Sequence, residues 1–446
     1  MLKENLITNK KLESGYLPFL LAYIVVAGLV SCKVQHDFVK VNNTRFEIND
    51  KPYYFVGSNF WYGAYLGANA RYGNRDRLLR ELDRLAKLGV KNLRIAAASE
   101  ASDFSLPLSP PFQYKNGAYN DTLFEGLDFL LFEMGKRKMK AVLFLNNYWD
   151  WTGGMSQYVS WAENSKIVDP TSNPALGWPD YIGYSARFYQ NEKAQDRYRR
   201  YIKTIINRKN IFSGVQYKDD PAIMAWQLAN EPRPNPVGEI NQRIAEYCNW
   251  IDQTAGFIKK FDKKHLVSIG SEGKMGSLNK LEYAYQANES RNIDYVTFHL
   301  WPKNWGWYNP AHSDSLQRSL ENATSYIDEH VSMAAKLNKP AVVEEFGLNR
   351  DFINYKPNTA VTSRDTFYKL VFELVKKSKQ NGSALAGCNF WAWGGEGRAA
   401  HEDAIWQLGD GVYLGDPYSE HQGLNSIYDT DSSTLKIIQA GSEVLK

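Results

Sequence analysis

The chain of 446 residues contains only three cysteines, and this scarcity excludes a fold that depends on several disulfides. It has seven histidines, but neither a His-Glu-x-x-His pattern nor paired cysteines at zinc-ligand spacing, so we expect no metal site and no cofactor. Basic residues number 53 and acidic residues 49. This near balance lacks the clustered positive charge of a nucleic-acid binder.

The N-terminal region lacks a membrane-spanning segment, because the apolar run from Tyr16 to Val30 has only about 15 of the roughly 20 residues required. Lysines precede this run, as in a signal peptide, and Cys32 follows Leu-x-Ser as in a bacterial lipobox. We therefore expect residues 1–31 to be a signal peptide, and residues 32–37 to be a lipidated Cys32 and a tether. The protein would be exported and held on the bacterial envelope by lipid alone. An ordinary signal peptide with an incidental cysteine is the alternative.

Aromatic residues are abundant, at 14% of the chain with 13 Trp and 28 Tyr. Flat rings suit the faces of sugars, but they also fill ordinary protein cores. Composition alone therefore leaves both interpretations open.

From about residue 38 onward, short apolar stretches alternate with amphipathic helical patterns. The helical patterns cover Asp76–Leu88, Asp121–Arg137, Glu192–Phe212, Glu239–Phe261, Leu316–Leu337 and Ser363–Gln380. A hairpin from Phe38–Glu47 leads into the first of eight predicted strands: Tyr53–Phe60, Lys91–Ala97, Lys140–Asn146, Ile223–Asn230, His265–Gly270, Tyr295–Trp301, Ala341–Gly347 and Gly387–Trp393. Apolar strands separated by helices predict an α/β fold, a (β/α)8 TIM barrel that forms a single domain over residues 38–446.

Two long stretches fit neither strand nor helix. They cover residues 147–189, after the third strand, and residues 394–431, after the eighth strand, and both are rich in Trp, Tyr, Gly and Pro. Loops at the C-terminal ends of barrel strands carry function. We therefore expect these two loops to form the walls of a cleft.

Two glutamates end strands on opposite sides of the predicted barrel mouth. Glu231 follows the fourth strand in Asn-Glu-Pro, and Glu345 ends the seventh strand before Phe-Gly. Glycosidic bonds are hydrolysed by one carboxylic acid that protonates the leaving oxygen and a second carboxylate that attacks the sugar or activates water. Each glutamate alone is as easily a structural ion pair, but the two in this arrangement favour catalysis.

Neighbouring residues fit the same chemistry. Arg94, which ends the second strand, would keep Glu345 ionised, and Asn230 would donate a hydrogen bond to a sugar hydroxyl. His299 on the sixth strand would contact substrate or tune Glu231. Trp391 would form the floor for the sugar under attack, although Trp393 is an equal candidate on sequence alone.

Together these motifs resemble glycoside hydrolase family 5 over roughly residues 40–440. The resemblance rests on the arginine of the second strand, Asn-Glu-Pro, His-x-aromatic, Glu-Phe-Gly and the tryptophan of the eighth strand. It implies a retaining mechanism with Glu231 as acid/base and Glu345 as nucleophile. Alternation along a strand would turn Glu344 the other way.

Within that family the sequence is most similar to the endo-β-1,4-mannanases. The similarity lies in the segment 145–159, which contains Asn147 and Trp149 and would contact substrate, in His-Leu-Trp-Pro at 299–302, and in the tail 415–429. Trp301 stands where the family usually has a tyrosine bonded to the nucleophile, and an indole N–H can donate but cannot ionise. The usual histidine of the third strand is absent, with Asn146 or Asn147 in that region.

Three functions therefore compete. The first is retaining hydrolysis of β-1,4-mannosidic bonds in mannan, glucomannan or galactomannan by a monomeric enzyme, within the chain or from its ends. The second is hydrolysis of another β-glycan, such as a β-glucan. The third is a non-catalytic glycan-binding lipoprotein, which the intact Glu231, Glu345, Arg94 and Asn230 disfavour.

Overall fold

The computed structural model of the protein describes residues 37–310, 312 and 314–446. The predicted signal peptide and the predicted lipidation site, Cys32, lie outside these residues. Within the described ranges, no helix combines the length and the apolar character needed to cross a membrane.

Eight parallel strands form the centre of the fold and confirm the predicted barrel. They are β1 (Phe55–Asn59), β2 (Asn92–Ala96), β3 (Lys140–Phe144), β4 (Ile223–Gln227), β5 (Leu266–Ser268), β6 (Val296–Leu300), β7 (Ala341–Phe346) and β8 (Leu385–Phe390). Every residue of these strands is buried. This burial on both faces explains why the strands appear in the sequence as nearly continuous apolar runs.

The strands are hydrogen-bonded in the order β5-β4-β3-β2-β1-β8-β7-β6, so the barrel is nearly closed. Isolated bonds cross the seam between β5 and β6. Asp294 N, just before β6, donates to Val267 O of β5 at 2.8 Å. His299 N of β6 donates to Glu272 O, beyond the end of β5, at 3.3 Å. The C-terminal ends of β4, β6 and β7 therefore meet at one mouth.

A helix follows each strand: α1 (Arg75–Lys87), α2 (Asp121–Lys136), α3 (Glu192–Ile206), α4 (Ile240–Phe261), α5 (Leu281–Asn288), α6 (Ser315–Lys336), α7 (Thr362–Asn381) and α8 (Ser432–Glu443). Asparagine side chains cap the first three, with Asn74, Asn120 and Asn191 each accepting a hydrogen bond from a backbone N–H of the first turn. The prediction omitted α5 and α8, and it extended α3 past Ile206 to Phe212.

The predicted N-terminal hairpin is only partly correct. Strands Lys40–Asn42, Arg45–Ile48 and Lys51–Pro52 form a separate antiparallel ribbon, while β1 pairs with β2 and β8 in the barrel. Phe46 of the ribbon is fully buried and lies 5.3 Å from the ring of Tyr295, just before β6. The ribbon therefore packs against the end of the barrel opposite the mouth.

The two predicted loops rise from the mouth, but the first is not irregular. The stretch 147–189 contains the helices Gly154–Glu163 and Trp178–Ser185. The stretch 394–431 is largely without regular structure and is held from within by Asp416, which accepts hydrogen bonds from three backbone N–H groups and the Ser426 hydroxyl. At its end, buried Asp431 forms ion pairs with Arg350 and Arg364.

Candidate active site

Glu231 lies directly beyond β4 in a strained backbone conformation. Its φ of 50° is in the left-handed region, which non-glycine residues rarely adopt. The carboxylate is held at both oxygens, since Trp149 Nε1 donates to Oε2 at 2.6 Å and His299 Nδ1 lies 2.6 Å from Oε1. Its orientation is therefore determined by Trp149 on the loop after β3 and by His299 on β6.

Glu345, at the end of β7, faces Glu231 across the mouth. Its carboxylate pairs with the Arg94 guanidinium and lies 3.3 Å from His299 Nδ1. A carboxylate oxygen of Glu345, one of Glu231 and a ring nitrogen of His299 all lie within 4.8 Å of one another. The sequence-predicted pair is thus brought together at contact distance.

Arg94 is completely buried and connects several strands of the barrel. Besides Glu345, it donates to Gln227 at 2.8 Å, to Asn59 at 3.1 Å and to Asn230 at 2.6 Å. These acceptors together hold the planar guanidinium in a single orientation. Arg94 therefore fixes the position of Glu345 and favours its ionised form.

The prediction that strand alternation turns Glu344 away is wrong. Opposite β6, Val343 pairs with Phe298 and Glu345 pairs with His299, so Glu344 is the extra residue of a β-bulge. The bulge brings both side chains into the barrel interior. Glu344 accepts a hydrogen bond from Gln227 at 2.6 Å and lies 3.5 Å from Arg94 Nε, although only Glu345 reaches the cavity above.

Charges in this cluster determine where its protons lie. Burial alone would lower the pKa of His299, but the carboxylates of Glu345 and Glu231 raise it to about 10. Burial opposes ionisation of Glu231, yet the hydrogen bond and charge of His299 outweigh burial and lower the pKa of Glu231 to about 2. In the empty site the shared proton of this pair therefore rests on the imidazole.

Burial and the neighbouring charges act on the pKa of Glu345 in opposite directions. Burial raises it to about 7, while His299 and Arg94 lower it and the charges of Glu231 and Glu344 add to the rise. Arg94 thus acts in the predicted direction, but its effect is smaller than that of burial. Protonation of Glu345 near neutral pH would remove the negative charge from this side of the mouth.

A cavity of about 660 Å³ opens above the two glutamates. It is lined by five acidic side chains and a ring of tryptophans: Asp150, Glu231, Glu272, Glu345 and Glu420, with Trp149, Trp151, Trp178, Trp301, Trp305 and Trp391. A larger groove of about 1200 Å³ lies between α5 and α6, and neither Glu231 nor Glu345 lines it. The smaller cavity is the candidate site, because the paired carboxylates open into it.

The residues predicted to bind substrate divide between two layers. Asn230, Trp149, Trp301 and Trp391 line the cavity, whereas Arg94, Asn147 and His299 are fully buried beneath it. Asn147 accepts hydrogen bonds at 3.1 Å from Asn230 Nδ2 and from Trp149 N, so it supports the residues that line the cavity. Arg94, Asn147 and His299 are therefore positioned to act through the side chains above them, a role that the sequence indicated for Arg94 and gave as one of two alternatives for His299.

The structure also distinguishes the two tryptophans at the end of β8. Trp391 lines the cavity, and its buried Nε1 has no hydrogen-bond partner in the described part of the chain. Trp393 points away and donates to Glu81 at 2.9 Å. Trp301 packs edge-on against Trp391 at 5.8 Å and, among the described residues, makes no hydrogen bond to Glu345. The bond from the usual tyrosine is therefore missing here.

Sequence reasoning missed an ion pair beside Glu231. Arg233 donates to Glu272 at 2.6 Å, and its guanidinium lies 4.8 Å above the Trp149 ring. Burial, together with the charge of Glu231, raises the pKa of Glu272. The sequence could have indicated Arg233, because it lies only two residues after Glu231. Glu272, on the loop after β5, gave no such indication.

Sequence reasoning also missed Glu420, in the loop after β8. Its Oε2 is buried without a hydrogen-bond partner in the described part of the chain. Burial, followed by the charges of Asp416 and Glu345, raises the pKa of Glu420 to about 8. A buried carboxyl oxygen without a partner at the wall of a cavity is suited to form a hydrogen bond with a ligand.

Among the described residues, Glu231, His299 and Glu345 are the one group of His, Cys, Asp and Glu whose geometry suits a metal ion. Their chemistry does not favour one. His299 carries its proton at neutral pH, and both carboxylates already have cationic partners. A metal ligand needs a free lone pair on the ring nitrogen, so an acid/base cluster is the better description.

Comparisons with known proteins agree with this geometry. A family model described as GH family 5 beta-mannosidase-like matches residues 36–446. A mannan endo-1,4-beta-mannosidase from Arabidopsis thaliana is 29% identical over 390 residues, which are 83% of this chain and 82% of that protein.

Among solved structures, a glycoside hydrolase family 5 mannosidase from Rhizomucor miehei is 35% identical, with a TM-score of 0.83 over 92% of this chain and 98% of that one. A mutant of that mannosidase was solved in complex with mannosyl-fructose. The endo-1,4-beta-mannanase of the same organism shares the fold at 23% identity, with a TM-score of 0.65 over 92% of this chain and 99% of that one.

Proposed function

Because the chain belongs to the β-mannosidase-like group of glycoside hydrolase family 5, we propose that it hydrolyses β-mannosidic bonds with retention of configuration. Glu231 is the acid/base and Glu345 the nucleophile. One observation carries the proposal, namely that a carboxylate oxygen of each glutamate lies within 4.8 Å of the other. Retaining enzymes place their carboxyl groups about 5–5.5 Å apart, whereas inverting enzymes leave roughly 6.5–9.5 Å for a water molecule.

In the first step, a Glu345 oxygen attacks the anomeric carbon while Glu231 gives a proton to the departing glycosidic oxygen. The products are a mannosyl ester on Glu345 and a free sugar alcohol. In the second step, Glu231 takes a proton from water, whose oxygen attacks the ester carbon and restores the Glu345 carboxylate. Glu231 then returns this proton to His299, so the two steps together restore both glutamates and the imidazole to their starting states.

The proton for the first step comes from His299. Its pKa is raised chiefly by the charge of Glu345, and that charge is lost as the ester forms. The imidazole then releases its proton across the 2.6 Å hydrogen bond to Glu231, which passes it to the leaving oxygen. The low pKa of Glu231 in the empty site therefore does not prevent Glu231 from acting as the acid during bond cleavage.

The proposed enzyme acts at chain ends. The 0.83 TM-score to the R. miehei mannosidase exceeds the 0.65 to the endo-mannanase, and the loop after β8 brings Pro417, Ser419 and Glu420 against the cavity. The free hydroxyl of a terminal sugar can form a hydrogen bond with the Glu420 carboxyl group, whose Oε2 has no partner in the described part of the chain, whereas an internal sugar has that oxygen in a glycosidic bond. Internal cleavage of mannan remains the second candidate, supported by the names of the plant relatives.

Product analysis tests this function. Mannohexaose, mannan, glucomannan and cellohexaose are each incubated with the enzyme, and early products are resolved by chromatography. We expect mannose as the first product from mannohexaose and no glucose from cellohexaose. A mixture of mannobiose and mannotriose at the earliest times would favour internal cleavage. Faster attack on cellohexaose would favour the β-glucanase alternative, and no cleavage of any substrate would favour a glycan-binding role.

The pH dependence of kcat/KM follows from the charges around Glu345. Only the ionised carboxylate attacks, so kcat/KM should be lost as pH falls through about 7, the pKa of Glu345 in the free enzyme. His299→Gln removes a cation that lowers this pKa and should move the acid limb to higher pH. Glu344→Gln removes an anion that raises it and should move the limb to lower pH.

The measurement is a pH profile of mannobiose hydrolysis for the wild type and the two variants. Opposite shifts separate an electrostatic effect from general damage, because damage would lower the whole profile without moving its limb. Shifts in the same direction would contradict the account of the cluster.

We further propose that Cys32 carries lipid and anchors the enzyme to the cell envelope, because the residue follows a signal-like segment at a Leu-x-Ser junction. Labelling of producing cells with a radioactive fatty acid should mark the wild type and Cys248→Ser, but not Cys32→Ser. Equal labelling of all three proteins would contradict this proposal.

A further inference from the structure

A tryptophan lies half-exposed at the rim of the candidate site. Trp178 is 47% exposed, begins the helix Trp178–Ser185 and lines the same cavity as Glu231 and Glu345. In the described part of the chain its indole N–H makes no hydrogen bond. A large apolar ring left in water at the wall of a cavity is suited to contact a ligand.

The contacts of Trp178 place it on one side of the chemistry. Its ring lies 5.9 Å from that of Trp149 at 79°, and Trp149 donates the hydrogen bond to Glu231. Trp391 and Trp301 form a separate pair, also lining the cavity and packed against each other at 5.8 Å. Because the acid must reach the departing oxygen, the Trp149 and Trp178 side of the cavity is the side of the leaving group.

The Trp178 ring is held in place before any ligand binds. It lies 5.6 Å from the ring of Tyr181 at 74°, and Tyr181 is itself stacked on Trp149 at 6.2 Å. The Tyr181 hydroxyl donates to Tyr148 O at 2.6 Å, which anchors this aromatic group to the loop after β3. A preorganised ring costs little conformational entropy when a sugar packs on it.

We propose that Trp178 forms the platform of the leaving-group subsite and holds a sugar ring beyond the bond that is cleaved. The inference rests on the proposed function, since it needs Glu231 as the acid. It makes the enzyme specific for oligosaccharides, because a mannoside with a small leaving group cannot reach the platform. The two sides of the cavity then bind different parts of the substrate. The Trp391 side holds the mannose that is released, and the Trp178 side holds the rest of the chain.

The test compares two substrates that differ in what occupies the leaving-group side. Mannotriose places sugars there, and β-mannosyl fluoride places none, because its leaving group is a fluoride ion. For Trp178→Ala, the ratio of kcat/KM on mannotriose to kcat/KM on the fluoride should fall about tenfold, the effect of losing one aromatic stacking contact. Trp178→Tyr should recover most of that ratio. Tyr114→Ala removes an exposed ring outside the cavity and serves as the matched control.

The outcomes separate this inference from the proposed function. An unaltered ratio in Trp178→Ala, or an equal loss on both substrates, would overturn the platform while leaving the two-glutamate mechanism in place. A wild-type enzyme that cleaves neither substrate would overturn the proposed function and the inference with it. A fall in the ratio for Tyr114→Ala as large as that for Trp178→Ala would also overturn the platform.

Discussion

Replacing Glu345 with alanine is expected to lower kcat on mannobiose by at least about 10⁴-fold, because no glycosyl ester can form without the attacking carboxylate. The loss should be of similar size on every mannoside, including those with excellent leaving groups. Arg94 would also lose the partner that its guanidinium contacts in the buried cluster. Steady-state kinetics on mannobiose and on 2,4-dinitrophenyl β-mannoside measure this effect.

Glu344→Gln is the informative comparison, because it changes the neighbouring carboxylate on the same strand. Glu344 contacts Gln227 and Arg94 beneath the cavity, so its replacement should reduce turnover but leave the attack possible. A circular dichroism spectrum and a melting curve establish that both variants fold. If Glu344→Gln were inactive and Glu345→Ala active, the nucleophile would be Glu344 and the strand register inferred for β7 would be wrong.

The second large effect is expected for Glu231→Ala. Mannobiose has a poorly acidic leaving alcohol, so loss of the acid should slow its hydrolysis by about 10²–10⁴-fold. 2,4-Dinitrophenyl β-mannoside needs no proton, and its phenol should be released in a rapid burst as the ester accumulates on Glu345. Added azide should then accelerate turnover and yield β-mannosyl azide, because the anion attacks the ester without general-base assistance.

Glu272→Gln provides the matched control, since Glu272 lines the same cavity and pairs with Arg233 beside Glu231. Azide should not accelerate this variant. Formation of α-mannosyl azide by Glu231→Ala would contradict retention, and azide acceleration of Glu272→Gln would contradict the assignment of Glu231 as acid/base.

Most of the barrel could be predicted from the sequence, for a simple physical reason. Parallel strands that are covered on both faces are nearly continuous apolar runs, and the eight strands follow this pattern except where they carry residues of the site, such as Arg94, His299 and Glu345. Their C-terminal ends meet at one mouth, which is why Glu231 and Glu345 could be paired across 114 residues of sequence. Short helices were harder to predict from the sequence. Helix α5 has only eight residues, and the helices after β3 lie among turn-forming residues.

The orientation of Glu344 could not be predicted, because a β-bulge adds one residue to β7 and breaks the alternation on which the prediction relied. The sequence also could not show which site residues line the cavity and which lie buried beneath it. Sequence indicates which strand or loop carries Arg94, Asn147 or His299, but not the depth at which each side chain ends. Glu272 and Glu420 were missed because their roles arise from contacts between loops that are far apart in sequence. Trp178 was missed because the sequence does not show that the loop after β3 folds its ring against Trp149 and Tyr181.

The central claim is that Glu345 forms a covalent bond with the sugar during each turnover. Incubation with 2-deoxy-2-fluoro-β-mannosyl fluoride should trap that ester, because the fluorine at C2 slows both its formation and its hydrolysis, whereas the good fluoride leaving group speeds only its formation. Tandem mass spectrometry of a peptic digest should then find one added fluoromannosyl group, located on Glu345. A label on Glu344 or Glu231, or hydrolysis of the reagent with inversion and no labelled protein, would contradict the claim.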